Sequence, residues 1–166
     1  PTTSRNYEDY LAIEAKVTGD DSYQSHRHLI EWFRDKTDPN DTVISAGFTE
    51  QYIMDFRRLS GREVTTLNVY RYRGSTHYKK HEFNYRVKVF ESMLGLNHSE
   101  LSATSGVIDN LEEIVLGFDE DHFRNMGRWG NPDLHYQYFM TQYSVSLDFP
   151  ILFQYQDITV YKITKN

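Results

Sequence analysis

Apolar positions recur along this chain at helical spacing in some stretches and as short continuous runs in others. In residues 22–36, His26, Leu29, Ile30 and Phe33 fall at i, i+3, i+4 and i+7, with Trp32 off that stripe. That spacing predicts a helix with one apolar face. Gly19-Asp20-Asp21-Ser22 breaks the chain before it and supplies an N-cap; Lys36-Thr37-Asp38-Pro39-Asn40-Asp41 ends it in a turn-rich loop. Thr42-Val43-Ile44-Ser45-Ala46-Gly47 reads as a short buried strand, because β-branched residues suit a pleated surface. Thr49 caps a second helix over 50–59, with Tyr52, Ile53, Phe56 and Leu59 on one side and Gly61 placed as its C′ residue. Residues 63–69 form the next strand. Helix–strand–helix–strand at this spacing predicts an α/β unit with parallel strands.

The second half is read in the same way. A third helix is expected over 82–94, carrying Phe83, Val87, Phe90 and Leu94 and closed by Gly95. Residues 96–112 contain a short helix with Val107, Ile108 and Leu111, and 113–118 form a third strand. The stretch 119–132 is acidic, then Gly-rich and irregular; 134–145 is expected to be an aromatic helix with Tyr136, Tyr138, Phe139 and Tyr143. Two β runs flanking Gln156-Asp157 predict a C-terminal hairpin. The expected fold is a three-layer α/β domain: a mostly parallel sheet flanked by helices, with an antiparallel C-terminal hairpin. Residues 1–20 read as a polar lead-in and 21–166 as one domain.

Composition narrows the class. A chain of 166 residues suits one domain with a real core. With 18 Lys and Arg against 24 Asp and Glu the net charge is −6, which argues against a phosphate-gripping surface and hence against nucleic acid. The absence of cysteine excludes disulfides, zinc–thiolate sites and thiol nucleophiles. The 13 Tyr and 10 Phe argue against disorder, and no apolar run is long enough to span a bilayer. The chain begins Pro1-Thr2-Thr3-Ser4, without an initiator Met or a signal peptide, so it is expected to be cut from something longer.

Several segments together carry a resemblance. They are His28-Leu29-Ile30-Glu31-Trp32-Phe33-Arg34 leading into Thr37-Asp38-Pro39-Asn40-Asp41-Thr42-Val43-Ile44-Ser45; Ser60-Gly61-Arg62-Glu63-Val64; Glu113-Ile114-Val115-Leu116 taken as a strand; and Phe149-Pro150-Ile151-Leu152-Phe153 followed by Ile158-Thr159-Val160-Tyr161-Lys162-Ile163. In order and spacing, over about residues 28–163, this resembles the soluble C-terminal domain that follows the transmembrane helices in polytopic membrane glycosyltransferases of the GT-C class and their relatives. The resemblance implies an extracytoplasmic α/β domain, anchored through the transmembrane part of its own parent chain. Such enzymes use polyprenyl- or dolichyl-linked sugar donors, and their catalytic acids lie in the membrane part. The Trp-Trp-Asp-Tyr-Gly motif of oligosaccharyltransferases has no counterpart here, where the matching stretch is Ala46-Gly47-Phe48-Thr49-Glu50-Gln51. No catalytic residue is carried across.

Candidate chemistry is sparse, and each candidate has a plainer reading beside it. Gly47-Phe48-Thr49-Glu50 follows a strand and opens a helix, where anionic ligands bind, but there is neither a Gly-x-Gly-x-x-Gly pattern nor a P-loop Lys, so no cofactor is expected. Arg62 either faces the same end or makes a structural ion pair. Arg71 and Arg73, interleaved with Tyr70, Tyr72 and Tyr78, suit a glycan or lipid-phosphate surface, or a solvated basic loop. Trp129, between Gly127-Arg128 and Gly130, is a sugar platform or a plug for the core. Asp119, Asp121 and His122 form a candidate site for a hard cation, or a helix start with Asp119 as N-cap. His77 and His81 stand at i, i+4 beside Lys79 and Lys80, which repel a cation. Asn40 and Asn97 fit the N-glycosylation pattern in expected loops.

The leading expectation is a non-catalytic domain on the extracytoplasmic face of a membrane, covering the acceptor side of a glycosyltransferase-type parent and in reach of a glycan or lipid-linked sugar. The alternatives are a small α/β binding protein for a sugar or acidic metabolite, and a hydrolase or transferase using Asp119, Asp121 and His122.

Overall fold

Strand β1 (Thr42–Ala46) is buried at every position, and the rest of the fold is arranged around it. The computed structural model describes residues 21–68, 91, 93–97, 110–124 and 135–164. Helix α1 (Asp21–Lys36) precedes β1; α2 (Glu50–Ser60) and β2 (Glu63–Thr66) follow it. Then come α3 (Leu111–Leu116), α4 (Asp121–Arg124), β3 (Tyr138–Thr141), β4 (Ile151–Tyr155) and β5 (Ile158–Lys162). Among the described residues the strands form one five-stranded mixed sheet in the order β2-β1-β3-β5-β4. β1 pairs parallel with β2 and with β3, while β5 runs antiparallel to β3 and to β4. The fold class is therefore α/β, a mixed sheet flanked by helices.

Alternation along the strands sorts the core into two clusters on the two sides of the sheet. Val43, Met140, Ile158 and Val160 pack with Leu29, Ile30 and Phe33 of α1 and with Tyr52, Ile53, Phe56 and Leu59 of α2. Ile44, Ala46, Phe139 and Tyr161 pack instead with Leu111, Val115, Phe118 and Phe123 from α3 and α4. The apolar stripes of the first two helices thus do what their spacing predicts. Trp32, off the stripe of α1, lies edge-on to Tyr138 and tilted against Phe153 of β4, so it extends the cluster toward the sheet edge.

The first helices, first strands and hairpin match expectation closely. Thr49 accepts a hydrogen bond from the Tyr52 amide, and Gly61 ends α2 at φ 71°, donating to Arg57 O. The hairpin turns at Gln156-Asp157, with Gln156 at φ 52°. Two expectations are corrected. Residues 113–118 are not a strand: Leu111–Leu116 is helical, with Leu111 and Val115 buried at i, i+4 and Glu112 and Glu113 exposed. That spacing serves a short helix lying on the sheet. The helix expected over 134–145 is not found in its described residues, 135–145: Tyr138–Thr141 is an interior strand, since β1 and β5 supply ladder partners on both its sides. Of the helix expected over 82–94, residues 91, 93 and 94 are helical, and Gly95, at φ 67°, donates to Glu91 O. Its remainder lies outside the described residues, as do residues 1–20.

One side chain joins the first two α/β connections. Arg62 is only 6% exposed. Its guanidinium donates to Thr37 Oγ1 at 2.8 Å, Ser60 O at 2.9 Å, Phe33 O at 2.9 Å and Thr37 O at 3.1 Å. These carbonyls belong to the C-terminal ends of α1 and α2. Both helix dipoles therefore present their negative ends to one cation, which offsets its loss of water. Arg34, donating to Leu59 O, and Arg57, donating to Val64 O, add two further ties between the same elements. Beside them the loop Asp38–Asp41 closes on itself: the Asn40 amide donates to Asp38 Oδ1, and the Asp38 amide to Asp41 Oδ2. Asp41 Oδ2 also accepts the Tyr138 hydroxyl at 3.0 Å. Burial, then that hydrogen bond, push the Tyr138 phenol up to about 12.

Two outcomes follow. Arg62→Met leaves four carbonyl and hydroxyl oxygens without their donor and is expected to lower unfolding free energy by about 3 kcal/mol, with Arg62→Lys restoring only part; urea unfolding measures both. The Tyr138 phenol is raised from an ordinary 10.0, so the folded state holds its proton where the unfolded state releases it. Stability is therefore expected to fall as pH rises from 10.0 toward 12, and Tyr138→Phe is expected to fall less over the same window in melting curves.

Candidate functional site

The carboxyl ends of the parallel strands converge where the topology changes direction. From β1 the chain passes through α2 to β2 on one side, and β3 is later laid on the other side of β1. The carboxyl ends of β1 and β3 mark the switch point, the place at which open α/β sheets generally bind ligands. Gly47 follows β1 there at φ 93°, a conformation that disfavours any side chain. A Cβ on Gly47 would stand 3.1–3.3 Å from ring atoms of Tyr143, which follows β3. The glycine therefore serves both the turn and the close approach of the ring.

Asn68, just beyond β2, ties the ends of β1 and β2 together. Its Oδ1 accepts the Gly47 amide at 2.8 Å, and its own amide donates to Thr66 Oγ1 at 3.2 Å. Its side chain also favours the ionised form of the Tyr143 phenol slightly, lowering that group's pKa. Desolvation is the larger effect, and with the nearby Glu112 carboxylate it leaves the phenol raised and neutral. The Tyr143 amide donates to Thr141 Oγ1. Gly47, Thr66, Asn68, Gln142 and Tyr143 are all half-buried, so this cluster reaches the surface. On the α2 side, Ser45 Oγ is buried and has no hydrogen-bond partner among the described residues.

The residues singled out from the sequence are dispersed. Phe48 is buried and stacks on Tyr52 at 4.9 Å, and the Tyr52 ring also meets His26 at 4.0 Å; Phe48 plugs the core where ligand contact was expected. Thr49 caps α2, and Glu50 is exposed in its first turn. Arg62 does not face this end. It immediately precedes β2 and lies at the amino ends of the strands, where it bonds carbonyls and a hydroxyl. Arg71, Arg73, His77, His81 and Trp129 lie outside the described residues. Asn40 and Asn97 are both exposed, in irregular segments.

Asp119, Asp121 and His122 are adjacent but differently engaged. Asp119 Oδ1 accepts the amides of Asp121 and His122, as a cap for α4, and lies 2.9 Å from His122 Nδ1. That side-chain contact holds the Asp119 carboxyl below its usual range. Asp121 turns to Arg124, and Glu120 accepts the Asp148 amide. Among the described residues no three His, Cys, Asp or Glu side chains gather as a metal site.

Sequence reading missed Asn68 and Tyr143. Asn68 was available as a polar residue just past a strand. Tyr143 was hidden by the assignment of its segment to a helix. Among the described residues no helix is long and apolar enough to cross a membrane. Compared with known proteins, the chain matches no family model, no curated protein and no solved structure.

Gly47→Ala meets both the positive φ and the Tyr143 ring. It is expected to cost about 2 kcal/mol in denaturant unfolding. Adding Tyr143→Ala is expected to remove the steric part and leave the backbone part, so the two changes will be non-additive in a double-mutant cycle.

Proposed function

We propose that this chain is the outward-facing, non-catalytic domain of a multi-spanning membrane protein of glycosyltransferase type, attached to the transmembrane part of its own parent chain. Its finer architecture, on this reading, is a three-layer domain with a mostly parallel sheet, consistent with an apolar cluster on each side of the sheet. The observation that carries the reading is where the resembling segments meet. Thr37-Asp38-Pro39-Asn40-Asp41, Ser60-Gly61-Arg62 and the strand Ile158–Lys162 are far apart in the chain. Arg62 bonds Thr37 and Ser60 directly, and Asp41 bonds Tyr138, whose strand pairs with Ile158–Lys162. The motifs that carry the resemblance thus build one scaffold. A scaffold role suits a domain that covers the acceptor side of an enzyme whose reacting groups lie in its membrane part. The segment Glu113–Leu116, which is helical, adds nothing to the reading.

The test uses the absence of cysteine from the chain. In the full-length parent, freed of other reactive thiols, Asp157→Cys places one thiol at the exposed hairpin turn. The parent is expected in the membrane fraction, with several apolar segments of about 20 residues outside this chain. A membrane-impermeant maleimide is expected to label the thiol in intact cells. Labelling only after permeabilisation, or a parent found in the soluble fraction, rejects the proposal.

A further inference from the structure

We propose that Asn40 is an N-glycan acceptor, open to the transferring enzyme only until β3 joins the sheet. Its use in the cell rests on the outward-facing placement given above; the folding-dependent closure of the site does not.

One turn and one strand set the geometry. Asn40-Asp41-Thr42 fits the Asn-x-Thr acceptor pattern, in which the Thr hydroxyl is part of what the transferring enzyme reads. Asn40 is exposed in the loop between α1 and β1, and that loop is tied through the backbone: the Asn40 amide donates to Asp38 Oδ1 at 2.8 Å, and the Asp41 amide to Asp38 O at 2.9 Å. A glycan on the exposed side chain extends into solvent and displaces no core group. Thr42 is placed differently. It opens β1 and is 2% exposed. Its hydroxyl donates to Gln137 Oε1 at 3.0 Å, its amide to the same oxygen at 2.7 Å, and its carbonyl accepts the Gln137 amide at 3.0 Å. Asp41 Oδ2, between the two, accepts the Tyr138 hydroxyl. In the folded chain the acceptor nitrogen is reachable, but the hydroxyl that marks it is not.

Chain order sets the timing. Gln137 follows Thr42 by 95 residues, and Tyr138 follows Asp41 by 97. None of these bonds exists until that part of the chain has been made, and β1 gains its β3 partner only then. At a synthesis rate of about 5–20 residues per second, the motif stays open for roughly 5–20 s. In the transfer, Asn40 Nδ2 bonds to C1 of the first sugar of a lipid-diphosphate-linked oligosaccharide. The bond from C1 to the diphosphate oxygen breaks, the lipid diphosphate leaves with the electron pair, and the amide nitrogen gives up one proton to a base of the transferring enzyme.

Two measurements test this. First, the folded 166-residue chain and a synthetic peptide of residues 34–48 are each offered to a membrane oligosaccharyltransferase with its lipid-linked donor. The peptide is expected to accept the glycan, and the folded chain to react at least about tenfold more slowly, because reaction there waits for local opening. A peptide that is not modified, or a folded chain modified as fast as the peptide, overturns the proposal. Second, the full-length parent carrying Asp157→Cys is isolated from its own cells, and the peptide containing Asn40 is weighed before and after a glycan-releasing amidase. A glycan mass that is lost on treatment, and is missing from Asn40→Gln, is expected. A thiol labelled from outside beside an unmodified Asn40 overturns this proposal alone; a thiol reached only after permeabilisation overturns the outward-facing reading and the use of Asn40 with it.

Discussion

The buried guanidinium of Arg62 is the contact on which the first half of the fold depends. It is held by four oxygen acceptors at the C-terminal ends of two helices. A flexible ammonium matches this geometry poorly, because the planar fork of arginine reaches several fixed carbonyls at once. By holding the end of α1 against the start of β2, Arg62 sets how α1 and α2 lie on the sheet. Their apolar stripes then meet Val43, Met140 and Val160, and the adjoining Asp38–Asp41 loop reaches Tyr138. A single polar centre thus places the amino ends of β1, β2 and β3.

The opposite end of those strands is built differently. There the ties run between side chains and backbone of three connecting loops, Gly47, Asn68 and Tyr143, and they reach the surface. The amino end centres on a buried cation; the carboxyl end is polar and half-buried. This division follows the general behaviour of parallel sheets, in which loops after the strands carry ligand contacts and loops before them carry stability.

Sequence periodicity identified α1, β1, α2, β2 and the hairpin because each carried a second, local signal. Thr49 and Gly61 capped α2, β-branched residues marked β1, and a turn at Gln156-Asp157 separated two β runs. The errors fell on short apolar runs without such signals. Glu113-Ile114-Val115-Leu116 is rich in β-branched residues yet helical, since Leu111 and Val115 need to face Ile44 and Phe139 together. Tyr138-Tyr143 looked helical but contains an interior strand, since the ladder positions beside β1 and β5 fall there. Periodicity alone does not separate a buried strand from a short buried helix. The same misassignment hid Tyr143 from the candidate site, and Arg62, which the sequence left either facing that end or in a structural ion pair, bonds helix-end carbonyls and a hydroxyl at the amino ends of the strands, because sequence carries no sense of which way α2 returns.

Local chemistry in the sequence was enough to determine the α/β class, the first helix–strand repeats, the caps and the hairpin, because each rests on neighbours a few residues apart. Tertiary structure alone decided strand order, the mixed pairing of the sheet, the burial of Arg62 between two helix ends, and the meeting of Gly47, Asn68 and Tyr143. Those features join residues as far apart as Gly47 and Tyr143, brought together only when two strands pair in register across the chain. Such pairing follows from the whole set of apolar faces to be buried at once, which no single window of sequence contains.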